Sequence, residues 1–123
     1  MEPSIASTRI GRIVVGIDGS EHAAAALTTA IGLARSLSAE IVAVHAIPPP
    51  VPAEYGFDLL PAIPPELDPA WREEIHRQFE EEWCRPLDEV GVPHRTVERD
   101  GRPAAVIREV ADEEDAGLVV VGR

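Results

Sequence analysis

The sequence predicts an α/β domain: an open parallel sheet with helices on both faces, Rossmann-like in layout. Three observations predict it. Short, nearly continuous apolar runs rich in Val and Ile recur over residues 13–17, 40–47 and 118–121, and strands buried on both faces read this way. Stretches of helical periodicity separate these runs, and strand–helix alternation builds a parallel sheet. The length, 123 residues, suits one domain with one core.

Residues 1–8 carry no periodicity, which predicts a flexible tail and assigns the domain to residues 9–123. The first strand, 13–17, is bounded by glycines. Ser20 follows as an N-cap, and Glu21 adds a negative charge in the first helical turn, where the helix dipole favours it. The Ala-rich stretch 22–37 reads as a helix with Leu27, Ile31, Ala34 and Leu37 inward. Residues 40–47 repeat the strand pattern, completing a βαβ unit, whose crossover is right-handed.

Prolines at 48, 49, 50, 52, 61, 64 and 65 exclude a regular helix or central strand, so 48–68 is a long loop. Asp68 and Pro69 then cap a second helix. Its apolar stripe is Trp71, Ile75, Phe79 and Trp83, continued by Leu87 and Val90, and its acidic face (Glu73, Glu74, Glu80, Glu81, Glu82) is solvated. Pro86 should kink this helix and Gly91 should end it. Residues 93–98 are polar for a strand, which predicts an edge position. Gly101-Arg102-Pro103 opens a third helix with Val106, Ile107, Val110 and Ala111 inward. Gly117 stops it, and 118–121 form a fourth buried strand.

Composition narrows the function. Asp and Glu number 22 against 11 basic residues, all of them Arg, for a net charge of −11. That surface repels nucleic-acid backbones and anionic membranes alike. A single cysteine, Cys84, excludes an intrachain disulfide or a multi-Cys metal site. It reads as a small packing residue, and His45, inside its apolar strand, as a hydrogen-bonded core histidine. No apolar run approaches the roughly 20 residues of a membrane span. Residues 1–12 lack the charged start and apolar stretch of a secretory signal, so a cytoplasmic protein is expected.

In open parallel sheets, ligands bind beyond the carboxyl ends of the strands, where strand order reverses. Two strand ends carry unusual chemistry: Gly16-Ile17-Asp18-Gly19-Ser20 and Val121-Gly122-Arg123. Asp18 could accept hydrogen bonds from an adenine amino group or ribose hydroxyls, or could simply cap its turn. Gly19 and Ser20 offer backbone amides at a helix start, and Gly122 lets backbone approach a ligand closely. The phosphate-loop pattern G-x-x-x-x-G-K-[ST] and the serine-hydrolase pattern G-x-S-x-G are both absent, and no nucleophile, base or metal cluster is apparent. Without any Lys, a phosphoacceptor receiver domain is excluded as well. The expected class is a binding protein with no catalytic or metal residues.

RIVVGIDGSEHAAAAL, EIVAVHAI and GRPAAVIREVADEEDAGLVVVGR, in this order, resemble the universal stress protein family from about Arg9 to Arg123. The resemblance implies a five-stranded parallel fold, a homodimer and bound ATP. It places Asp18 at the adenine end, with Gly16 and Ala46 lining the base pocket. Val121 and Gly122 would begin the family's phosphate stretch, G-x2-G-x9-G-[S/T]. Ile17, Gly19 and Arg123 complete the expected nucleotide-binding set. The rest of that stretch, with the last helix and strand, is missing: either the protein continues past Arg123, as the apolar edge of 118–121 favours, or it is a shortened member. Mg²⁺ is expected with ATP, because a chain at −11 has little positive charge to spare for a triphosphate. The implied function is an ATP-binding, non-catalytic stress or signalling module. The alternative is a nucleotide-free dimeric interaction module of the same fold.

Overall fold

The structure, a computed structural model, describes residues 10–48 and 68–123. The tail expected over residues 1–8 lies outside the described residues, as does the Pro-rich loop apart from its ends at Pro48 and Asp68. The order of elements is β1 (Arg12–Gly16), α1 (Glu21–Leu37), β2 (Glu40–Ile47), α2 (Pro69–Gln78), a π-helical segment (Phe79–Trp83), α3 (Arg85–Val90), β3 (His94–Asp100), α4 (Pro103–Glu113) and β4 (Leu118–Val120). All four strands are parallel, in the spatial order β3-β2-β1-β4. Among the described residues, no helix is long and apolar enough to cross a membrane.

Side chains alternate across a strand, so each face of the sheet gathers its own core. Ile13, Val15 and Ile17 of the first strand region join Ile41 and Ala43 under Leu27, Ala30, Ile31 and Ala34 of α1, with Phe79, Cys84 and Leu87 beside them. Val14, Val42 and Val44 point the other way, against Val106 and Val110 of α4. The expected helices on both faces are thus present.

The caps follow sequence logic. Ser20 Oγ accepts the Ala23 amide at 3.1 Å, and Asp68 Oδ1 accepts that of Ala70 at 3.0 Å. Leu37 departs from expectation: it is the last residue of α1 and is 44% exposed, Ala34 being the last buried residue of the helix.

The long helix expected after Asp68 is instead three segments. Pro86 does not kink a continuous helix. It sits in the first turn of α3, where its missing N–H leaves no bond unmade. The expected apolar stripe divides with it. Phe79 and Leu87 are fully buried, Trp71, Ile75 and Trp83 are half-buried, and Val90 is exposed. The cause lies in β3, the polar edge strand. It gives α2 polar partners, so α2 buries no residue and docks through Arg72–Asp100 (2.9 Å) and His76–Glu98 (3.0 Å). Glu80 of the π segment accepts the Thr96 hydroxyl at 2.6 Å.

Two further differences concern the end of the chain. α4 stops at Glu113 rather than at Gly117, with Asp115 in the left-handed region (φ 51°) and the Ala116 amide returning to the Ala111 carbonyl. Gly117 leads into β4, its amide donating to the Arg12 carbonyl. Among the described residues β4 pairs only with β1, so it is an edge strand and not a buried one, with Val119 42% exposed.

Two outcomes follow from this packing. Phe79→Ala should cost about 3–5 kcal/mol, as large-to-small changes at fully buried aromatic sites do, measured by urea unfolding. A loss well under ~1 kcal/mol would contradict the packing. Burial, helped by the Glu80 and Asp88 carboxylates, pushes the Cys84 thiol up to about 12. Iodoacetamide at mildly alkaline pH should therefore spare native Cys84 and modify it only in denaturant. Rapid labelling of the folded protein would contradict the burial.

Candidate functional site

The chain runs outward from β1 to β2 to β3, then crosses back through α4 to place β4 on the far side of β1. Strand order therefore reverses between β1 and β4. Parallel pairing of Ile13 with Leu118, Val14 with Val119 and Val15 with Val120 brings the two strands' carboxyl ends side by side. A crevice opens there, as such switch points require.

The crevice has a volume of about 470 Å³, within the range of small-molecule sites. Gly16, Ile17, Asp18, Ala46, Val121, Gly122 and Arg123 all line it. Of the residues singled out in the sequence, Gly19 alone does not. It faces the opposite side of its turn, where a Cβ would lie 2.6 Å from Cζ2 of Trp83.

Asp18 is exposed at the mouth. Its Oδ1 accepts the Ser20 amide at 2.9 Å. Hydrogen bonding from the Ser20 side chain, then from its backbone amide, holds the Asp18 carboxyl below the usual carboxylate range. Asp18 is thus a pre-set anionic acceptor. The same bonds engage amides that the sequence alone suggests are open to an anion: Ser20's amide serves Asp18, and Ala23's serves Ser20 Oγ. The start of α4 is different. Arg102 occupies its N-cap with no side-chain bond, so first-turn amides of α4 stay uncapped beside Pro103 and Ala104 at the cavity wall.

Gly122 has a more demanding role than expected. A Cβ there would lie 2.4 Å from both the carbonyl carbon and oxygen of His22. The end of β4 can approach the first turn of α1 only because residue 122 has no side chain. Gly16 is covered in turn by Ile107, whose Cδ1 lies 2.8 Å from where a Cβ would stand.

Sequence reasoning missed several of the lining residues. Val44 was findable, because it shares a face of β2 with Ala46. Ile107 reads as core from its helical spacing, yet it also forms a wall of the crevice. His22 and Ala104 enter only through the meeting of two helix starts, which no local pattern shows. His45, as expected, is a hydrogen-bonded core histidine: Nδ1 lies 2.8 Å from Glu98 Oε2. Among the described residues, no group of three or more His, Cys, Asp or Glu is arranged to hold a metal ion.

The sequence profile of the universal stress protein family matches residues 9–123. Comparison with curated protein sequences finds no match. Among solved structures, a universal stress protein family member from Burkholderia pseudomallei is 28% identical, with a TM-score of 0.72 over 93% of this chain and 82% of that one. A universal stress protein in complex with cAMP is 21% identical (TM-score 0.58, covering 91% and 71%). A family protein from Arabidopsis thaliana with AMP bound is 15% identical (TM-score 0.61, covering 92% and 76%).

Two substitutions test this geometry. Gly122→Ala should destabilise the fold by about 1–3 kcal/mol, as overpacking does, because the new methyl meets backbone and not a movable side chain. Unchanged urea stability would contradict the close approach. Asp18→Asn tests the carboxylate. A group with a lowered folded pKa stabilises above its ordinary range and loses that contribution as pH falls through the lowered value. The stability difference between the parent protein and Asp18→Asn should be constant above about pH 5 and shrink below about pH 4. A difference that grows on acidification would contradict the assignment.

Proposed function

Since the chain belongs to the universal stress protein family, we propose that its crevice binds an adenine nucleotide, namely ATP with Mg²⁺. The protein then acts as a non-catalytic stress-response or signalling module, a cytoplasmic homodimer. One observation carries the reading: Asp18 and Gly122, far apart in sequence, line one cavity at the strand-order switch. Val44, Ala46, Pro103 and Ile107 offer an apolar seat for a base, with Gly16 beneath it. Asp18 supplies the acceptor for an adenine amino group or a ribose hydroxyl. Gly122, Val121 and Arg123 lie on the side assigned to the phosphates, and Ile17 backs the Asp18 turn. The AMP and cAMP of the two structural relatives support the same class of ligand.

These residues suit a nucleotide, and their charge favours a metal ion bound with it. The cavity wall holds the Arg123 guanidinium beside the Asp18 carboxylate, too little positive charge for a triphosphate in a chain at −11. Mg²⁺ bound through the phosphates supplies the remainder.

A second reading is favoured by β4 and the residue that follows it, where Val119 and Val121 are 42% and 55% exposed. An apolar edge of this kind invites pairing, which suits a nucleotide-free dimeric interaction module. Non-denaturing mass spectrometry separates the two readings by co-purified nucleotide.

Calorimetry gives the direct test. ATP with Mg²⁺ should bind the protein, and Asp18→Ala should weaken binding by about tenfold or more, the worth of a hydrogen bond to a charged group. Absence of heat with ATP, ADP and AMP would refute the nucleotide reading.

A further inference from the structure

The turn from Asp18 to Ser20 has two sides. One faces the crevice, and the other faces Trp83, the last residue of the π segment. A Cβ on Gly19 would lie 2.6, 2.7 and 3.1 Å from Cζ2, Cε2 and Cη2 of the indole. The indole therefore occupies the space that a side chain at residue 19 would need. Gly19 also has φ +82°, a conformation costly for other residues. Positive φ and contact with the indole thus fall on the same residue, the one next to Asp18.

Trp83 is itself held. The His45 ring meets it edge-on, centroids 5.3 Å apart at 78°. His45 Nδ1 pairs with Glu98, whose other oxygen pairs with His76 of α2. His45 is also close enough to Asp18 for its charge to help hold that carboxyl down. A small hollow of about 190 Å³ adjoins the indole, between Gly19, Ser20, Glu82 and Pro86. It leaves room for the ring to shift. Insertions that give one π turn often sit at functional sites, and this one places Trp83 behind the acceptor carboxylate.

We propose that Trp83 is a positioning residue that braces the Asp18 turn from behind, and that its indole senses occupancy of the crevice. The sensing half rests on the nucleotide reading above; the bracing half does not. Bracing fixes where the carboxylate points, and small displacements of such groups cost affinity steeply. Because Trp83 also contacts His45, any shift of the turn reaches Glu98 and, through His76, the docking of α2.

Trp71 is the other tryptophan of the sequence, so Trp71→Phe leaves Trp83 as the sole tryptophan, read by excitation beyond the tyrosine band. Titrating that protein with ATP and Mg²⁺ should change its emission, with the midpoint found by calorimetry. Trp83→Leu should weaken ATP about tenfold, and Trp83→Phe should recover most of the loss. Carbon-detected NMR of ligand-free Trp83→Leu should show the Asp18 carboxyl titrating closer to the usual carboxylate range. Unchanged affinity and unchanged Asp18 titration in Trp83→Leu would overturn the proposal while the nucleotide reading stands. If the parent protein binds no nucleotide, that reading falls and sensing falls with it. The Asp18 titration still decides the bracing role. Should Trp83→Leu not fold, Trp83→Met removes the ring while a flexible apolar chain fills its space. It should raise the Asp18 titration in the same direction, and an unmoved titration would overturn the proposal.

Discussion

Parallel pairing of β4 with β1 is the constraint on which the site depends. Three residue pairs, Ile13–Leu118, Val14–Val119 and Val15–Val120, form the ladder. They put the last strand on the side of β1 away from β2. Had β4 continued beyond β3, Asp18 and Gly122 would stand on opposite margins of the sheet, with no shared crevice. Gly122 tightens the arrangement. Its lack of a side chain lets the end of β4 reach the His22 backbone at the start of α1, so strand and helix close one end of the cavity together.

The sheet divides its labour between a buried centre and a polar edge. β1 and β2 are apolar on both faces and support α1 on one side and α4 on the other. β3 carries Thr96, Glu98 and Asp100 toward the helical segments 69–83. These segments therefore dock by ion pairs and hydrogen bonds at the periphery, and by Phe79 and Leu87 where the core reaches them. Exposed ion pairs are individually weak. The buried aromatic anchor, close to the His45–Glu98 pair, is thus the firmer attachment. Trp83 sits at the junction of that anchor and the Asp18 turn, which is why a helix with no contact to the crevice can still bear on its geometry.

Much of this was legible in the sequence, for identifiable reasons. The limits of β2 match residues 40–47 because β-branched runs and flanking polar residues agree there. The α/β class, the polar edge strand and the helix starts at Ser20 and Asp68 follow from period and capping chemistry, both local. The misses are tertiary. Leu37 fits the helical stripe but, as the last residue of α1, is exposed. Pro86 breaks a helix that the apolar spacing alone would carry through. Gly19 lies against a tryptophan from a distant segment, and Ile107 lies over a glycine packed beneath it. Seven of the residues singled out in the sequence line the crevice because a strand-order switch gathers the ends of neighbouring strands. Gly19 does not, because adjacency in sequence does not fix which way a turn faces.

The most direct measurement is amide chemical-shift mapping on the ¹⁵N-labelled protein during addition of ATP and Mg²⁺. A crevice formed by β1 and β4 predicts one contiguous patch: Gly16, Asp18, Ala46, Val121, Gly122 and the first turn of α4 shift together. Shifts centred on the amino ends of the strands, near Gly11 and Glu40, or two separate patches with Asp18 and Gly122 responding independently, would contradict the account.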